Sequence, residues 1–272
     1  MARLRRVVEE IEARSGPADA RAPPSKLSLT RALDRALGGG LSGDALHEIA
    51  PASPGDGAAA MGFALALAAR FMAERRAAGL VIAEDFALRE MGALYGPGLV
   101  AHGMELSRLV FVRAPDAPAL FQAMEEGLRS GAPAVVVGEV WSLRSYGLAV
   151  SRRLLLAARA GATPALLVQA SAYGAAEKLS SAAETRFEIA AAPSARLASA
   201  GGGRPLPGPP AFAARLVKAR LTSAAGPPPG LDATRIIRLT WRSEDKQFDD
   251  PTVSLPVAAA SGDGPRAARA RR

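Results

Sequence analysis

Short apolar runs alternate with helical segments through the middle of this chain, and that alternation restricts the possible folds more than any other feature of the sequence. Strand-like runs fall at residues 45–50, 80–83, 109–112, 134–137 and 165–169. Helical patterns lie between them at 58–78, 87–94, 117–130 and 148–160. Strands and helices in this rhythm make βαβ units, whose parallel sheet is covered by helices on both faces. Three later runs, 186–190, 212–219 and 235–241, follow without helices and are separated by the turn-forming stretches 201–210 and 226–230. They are expected to extend the sheet in antiparallel fashion. Ahead of the alternation, residues 30–37 predict a short helix closed by Gly38, Gly39 and Gly40.

At 272 residues and 49% hydrophobic, the chain has material for one sizeable core. Ala, Leu and Val supply most of that surface, and the 58–78 segment carries Ala and Leu on nearly every face, which predicts burial against the sheet. Cysteine is absent, which excludes disulfides and thiolate metal sites. His47 and His102 are the only histidines, too few for a histidine-based zinc centre. Residues 1–14 are charged throughout, and the longest apolar run, 58–69, stops at Arg70. That run is shorter than a bilayer span, so the chain is expected in the cytoplasm with no membrane segment.

The formal charge of +8 gathers at the ends. Residues 253–272 have too little apolar content to build a core and predict a disordered tail. Its Arg266, Arg269, Arg271 and Arg272 are candidate contacts for DNA through counterion release, or simply a solvated terminus. Leu4, Val7, Val8 and Ile11 share one face of a helix predicted over 3–14. This stripe either docks on a partner or a second copy, or folds back on its own core. The domain reading is thus 1–25 for helix and linker, 26–252 for the core domain and 253–272 for the tail.

Several segments resemble the RecA superfamily in order. LTRALDRALGGGL (29–41), Gly43 and His47-Glu48-Ile49 resemble the lead-in to its nucleotide loop. VIAE (81–84) looks like the second core strand, GAPAVVV (131–137) like the strand that normally ends in a magnesium-directing Asp, and LLVQ (166–169) like the strand ending in a nucleotide-sensing Gln. AEKL (176–179) and TRFEI (185–189) resemble the return beyond the second DNA loop. Within the superfamily, ALHEIAP (45–51), GEVW (138–141) and SRRL (151–154) resemble ImuA, the RecA-like member of bacterial inducible-mutagenesis cassettes. The resemblance implies a RecA-like α/β fold and a place in SOS-induced translesion synthesis, beside the Y-family-like protein ImuB and an error-prone polymerase subunit.

The chemistry of that superfamily is missing from the residues. A phosphate loop needs glycine-rich backbone, a Lys for the β/γ-phosphates and a Ser or Thr hydroxyl on magnesium. The matching stretch, PASPGDGAAA (51–60), offers Gly55 and Gly57 but no Lys, and puts Asp56 where phosphate would lie. No lysine occurs between Lys26 and Lys178. Gly138 stands at the magnesium-side Asp position, with Glu139 one residue further along. Glu84 matches the water-activating carboxylate and Gln169 the nucleotide sensor. Both are expected to survive as relics, Glu84 in an ion-pair or capping role and Gln169 with a sheet-end hydrogen bond. The DNA-gripping loops are cut to about 142–146 and 170–175. Arg144 and Tyr146 are candidates for a cation-plus-stacking contact, against a plain surface turn. The expectation is a non-enzymatic adaptor with no cofactor. Its rivals are an active RecA- or KaiC-like ATPase and a SulA-like division inhibitor.

Overall fold

The computed structural model describes residues 26–174, 180–197, 206–220 and 234–250. The chain opens with β1 (Lys26–Leu27), α1 (Arg31–Ala36), β2 (Leu41–Ser42), β3 (Leu46–Pro51) and α2 (Gly57–Glu74). Next come β4 (Gly79–Glu84), α3 (Asp85–Met91), α4 (Gly96–Ala101), β5 (Leu109–Ala114), α5 (Ala117–Ser130), β6 (Val135–Val140), α6 (Leu148–Ala160) and β7 (Ala165–Gln169). The last stretch holds β8 (Thr185–Ala191), β9 (Arg196–Leu197), β10 (Leu206–Pro207), β11 (Ala211–Ala219), β12 (Ile236–Arg242) and β13 (Gln247–Asp249).

Nine of these strands form one sheet in the order β13-β12-β11-β8-β3-β7-β6-β4-β5. From β8 to β5 every pairing is parallel, whereas β11, β12 and β13 add on in antiparallel fashion. The α/β class, the mostly parallel sheet and the antiparallel C-terminal strands are therefore as the alternation predicts. Side chains along the parallel strands divide between two cores, as the two-residue period of a strand requires. Ile49, Val81, Val137, Leu166 and Phe187 face the core built with α2. Leu46, Leu80, Ile82, Val136 and Leu167 face the core built with α5 and α6.

Local chemistry sets the element ends. Thr30 caps α1 by accepting the Leu33 N–H, and Asp116 caps α5 by accepting the Ala119 N–H. Gly40 sits at φ +123°, and a Cβ there would strike the Leu27 carbonyl. α2 stops at Glu74, earlier than the 58–78 pattern predicts. Arg108 donates to the Met72, Arg75 and Ala77 carbonyls, and Arg75 to those of Pro133 and Gly131, which serves carbonyl groups left open beyond the helix. α4 lies where no helix was expected, its signal hidden by Gly96, Pro97 and Gly98. By length and composition, the stretch Pro54–Glu74 would pass as a membrane span, but 67% of its most apolar window is buried inside the fold. The helix expected at 3–14, the linker and the basic tail lie outside the described residues.

Candidate functional site

β3, β4, β6 and β7 bring the ends of the expected nucleotide apparatus to one rim of the sheet, the carboxyl rim where open α/β folds bind ligands. Residues 52–56, which follow β3, are tied down by their own side chains. The Asp56 carboxylate accepts the Ser53 hydroxyl at 2.6 Å and the Ala191 N–H at 2.8 Å, and the Ala52 N–H donates to the Ile189 carbonyl. The loop is thereby fastened to the end of β8. α2 begins at Gly57, and Met91 from the end of α3 packs so closely there that any Cβ at Gly57 would run into its Cε. A helix N-terminus attracts phosphate through free N–H groups and its dipole. Here a carboxylate and a thioether stand beside that terminus, and no lysine occurs between residues 26 and 178 of the sequence. These residues do not fit a nucleoside triphosphate.

Of the positions expected as relics, Glu84 holds backbone groups in place. Glu84, 5% exposed at the end of β4, accepts the Trp141 N–H at 2.7 Å and the Ser142 N–H at 3.2 Å. It caps the turn after β6, and Phe86 and Trp141 pack beside it with ring centroids 5.7 Å apart. β6 does not end at Val137 but runs on to Val140, so Gly138 and Glu139 lie within the strand rather than past its end. Gly138 faces α5, where a Cβ would press into Met124. Any larger residue at the supposed Asp position would collide with that core. Glu139 faces the opposite way, toward α2. Gln169 is fully buried and neither its Oε1 nor its Nε2 has a hydrogen-bond partner. The sheet-end hydrogen bond expected of it is absent.

Of the two candidate DNA contacts in 142–146, Arg144 is exposed. Tyr146 is not: it is 8% exposed, its ring packs on Phe121 at 5.4 Å and its hydroxyl donates to Glu48. Burial and the Glu48 carboxylate push its ionisation well above the ordinary tyrosine value. A base cannot stack on a ring held in the core, so the stacking half of that expectation is corrected. Arg266, Arg269, Arg271, Arg272, Leu4, Val7, Val8 and Ile11 lie outside the described residues, as does 176–179.

Sequence reading missed the polar network beneath Tyr146. Glu48 on β3 and Arg186 on β8 pair at 2.6 Å with 0% and 2% of their side chains exposed. Arg186 also donates to the Ser181 hydroxyl at 2.9 Å, and Lys218 on β11 donates to the Ser181 carbonyl at 2.8 Å. Partial burial lowers Lys218 to about 8. On the same strand as Glu48, but pointing to the other face, His47 sits between the Thr185 hydroxyl and the Ser42 carbonyl, at 2.8 and 2.9 Å. Burial holds it neutral, with a pKa of about 4. A charge at alternate positions of two otherwise apolar strands, Leu46-His47-Glu48-Ile49 and Arg186-Phe187-Glu188-Ile189, was the available signal. Among the described residues, no three His, Asp or Glu side chains come together as a metal site.

Neither a family model nor a curated protein matches this chain. Among solved structures it is similar to SulA from Pseudomonas aeruginosa, at 21% identity over 46% of this chain and 96% of that one, with a TM-score of 0.37. A likeness of that size carries no argument about function.

Proposed function

We propose that this protein is a non-catalytic, RecA-like accessory factor of DNA-damage-induced translesion synthesis, working in the cytoplasm as an adaptor between an ImuB-like protein and an error-prone polymerase subunit. The observation that carries the non-catalytic half is the rim of the sheet after β3. There Asp56 is committed to the Ala191 N–H, Met91 lies against Gly57 and the stretch 51–60 carries no lysine. Phosphoryl transfer depends on positioned cationic charge, and little chemistry remains once the Lys and metal ligands are gone. The translesion half rests on the ImuA resemblance of residues 45–51, 138–141 and 151–154. The basic tail then supplies weak, salt-dependent DNA attraction, and the apolar stripe of Leu4, Val7, Val8 and Ile11 supplies a docking element.

The test is affinity purification of the full chain from cells given a DNA-damaging agent. The proposal expects a Y-family-like protein and a polymerase subunit to co-purify, and to be lost when residues 1–25 are removed. Recovery of a cell-division protein in their place would overturn it.

A further inference from the structure

α2 presents Ala58, Met61 and Leu65, which lie along one helical face, to the segment joining α3 and α4. A cavity of about 400 Å3 opens between them, walled on the far side by Met91, Leu94 and His102. Glu139 of β6 reaches it from the sheet. This residue is 3% exposed, and among the described residues nothing donates a hydrogen bond or an ion pair to its carboxyl. Every other buried glutamate that the structure describes is partnered. Glu48 has Arg186, Glu84 has two backbone N–H groups, Glu125 has Arg129 and Arg153, and Glu184 has Ser42. An unpartnered carboxyl in a mostly apolar cavity of ligand size is the usual make-up of a small-molecule site, in which a few polar groups fix the orientation.

We propose that this cavity binds a compact, mostly apolar amine, whose ammonium pairs with the Glu139 carboxylate while its body lies against Met61, Leu65, Met91 and Leu94. Anions are excluded by the same carboxylate. A neutral ligand of equal shape would leave the carboxyl without the ion pair that a low-dielectric site strengthens. The titratable groups lining the cavity are Tyr95, His102 and Glu139, and no other charged side chain lines it. His102 donates to the Gly62 carbonyl at 2.8 Å and is kept neutral by burial, so it does not compete for the carboxylate. Desolvation raises Glu139 to about 7. Ammonium binding must draw it into the ionised form, so affinity should climb as pH rises from 6 to 8.

Calorimetric titration of the full chain with phenethylamine and with its neutral isostere 2-phenylethanol tests this. At pH 8 the amine should bind at least ~10-fold more tightly than the alcohol, a gap of about 1.4 kcal/mol, and the gap should narrow at pH 6. Glu139→Gln should abolish the preference and leave the alcohol unaffected. Ala58→Trp, at an exposed position on the cavity wall, should weaken both ligands without touching the carboxyl. Equal binding of the two ligands, binding of neither, or a preference that survives Glu139→Gln would overturn the proposal.

Discussion

Glu48 and Glu139 are both buried in strands of one sheet, on opposite faces, and their surroundings diverge. Glu48 lies on the α5 and α6 side, where Arg186, Tyr146, Ser181 and Lys218 close a network around it. Glu139 lies on the α2 side, among methionines and leucines, and opens on a cavity. The first carboxylate shares its burial with a guanidinium; the second avoids the cost of an unpaired charge by holding its proton to about pH 7. The contrast separates structural charge from available charge. A carboxylate whose oxygens are taken by Arg and Tyr has nothing left for a ligand.

Breaking the closed side should have the largest effect. Arg186→Met strands Glu48 without its cation and should cost about 3–5 kcal/mol by chemical denaturation. Replacing both partners by apolar residues, Glu48→Leu with Arg186→Met, should recover most of that loss. If the single substitution costs under about 1 kcal/mol, the pair is not what holds β3 to β8.

The open side should respond with the opposite sign. Glu139 has its folded pKa raised, from 4.5 to about 7. The stability it contributes is complete below pH 4.5 and is lost as pH climbs through 7. Glu139→Gln should therefore stabilise the protein at pH 8, by about 3 kcal/mol for a shift of that size, and leave it unchanged near pH 4. A destabilised variant at pH 8 would mean that the carboxylate has a partner after all.

His47 is shifted in the opposite sense, its pKa depressed by burial from 6.5 to about 4. Its contribution is present above pH 6.5 and fades as pH falls through 4, so between pH 4.5 and 6.5 it slopes against that of Glu139. The two should nearly cancel in the wild-type protein. In Glu139→Gln one of the two opposing slopes is removed, so the variant's stability relative to the wild type should rise by about 1.4 kcal/mol per pH unit across that window. Parallel pH profiles in the two proteins would refute the cancellation.

Asp56→Ala should be the mildest change. It removes the acceptors of the Ser53 hydroxyl and the Ala191 N–H from a half-exposed loop, a loss of about 1 kcal/mol in thermal unfolding. A loss several times larger would mean that the loop supports the core rather than resting on it.

The architecture was legible because the period of the apolar residues changes between strands and helices, and α5 matches its pattern from Ala117 to Ser130. α4 was not, since Gly96, Pro97 and Gly98 read as a turn and its only buried residue is Leu99. The missing phosphate chemistry at 51–60 could be read directly, because absence of a lysine needs no coordinates. The fates of individual polar groups could not. Whether Tyr146 points to solvent or to Glu48 depends on a loop 98 residues from its partner. Whether Glu139 faces the rim or the cavity depends on β6 continuing to Val140, past the apolar run that marks it.

The proposal that this α/β sheet does not handle nucleotide is tested by titrating ATP and magnesium into the purified chain, with phosphate release followed in the same samples. No saturable binding heat and no release above buffer are expected, with Glu84→Ala losing stability alone because it uncaps the Trp141 and Ser142 N–H groups. Magnesium-dependent hydrolysis that disappears in Glu84→Ala would contradict the proposal.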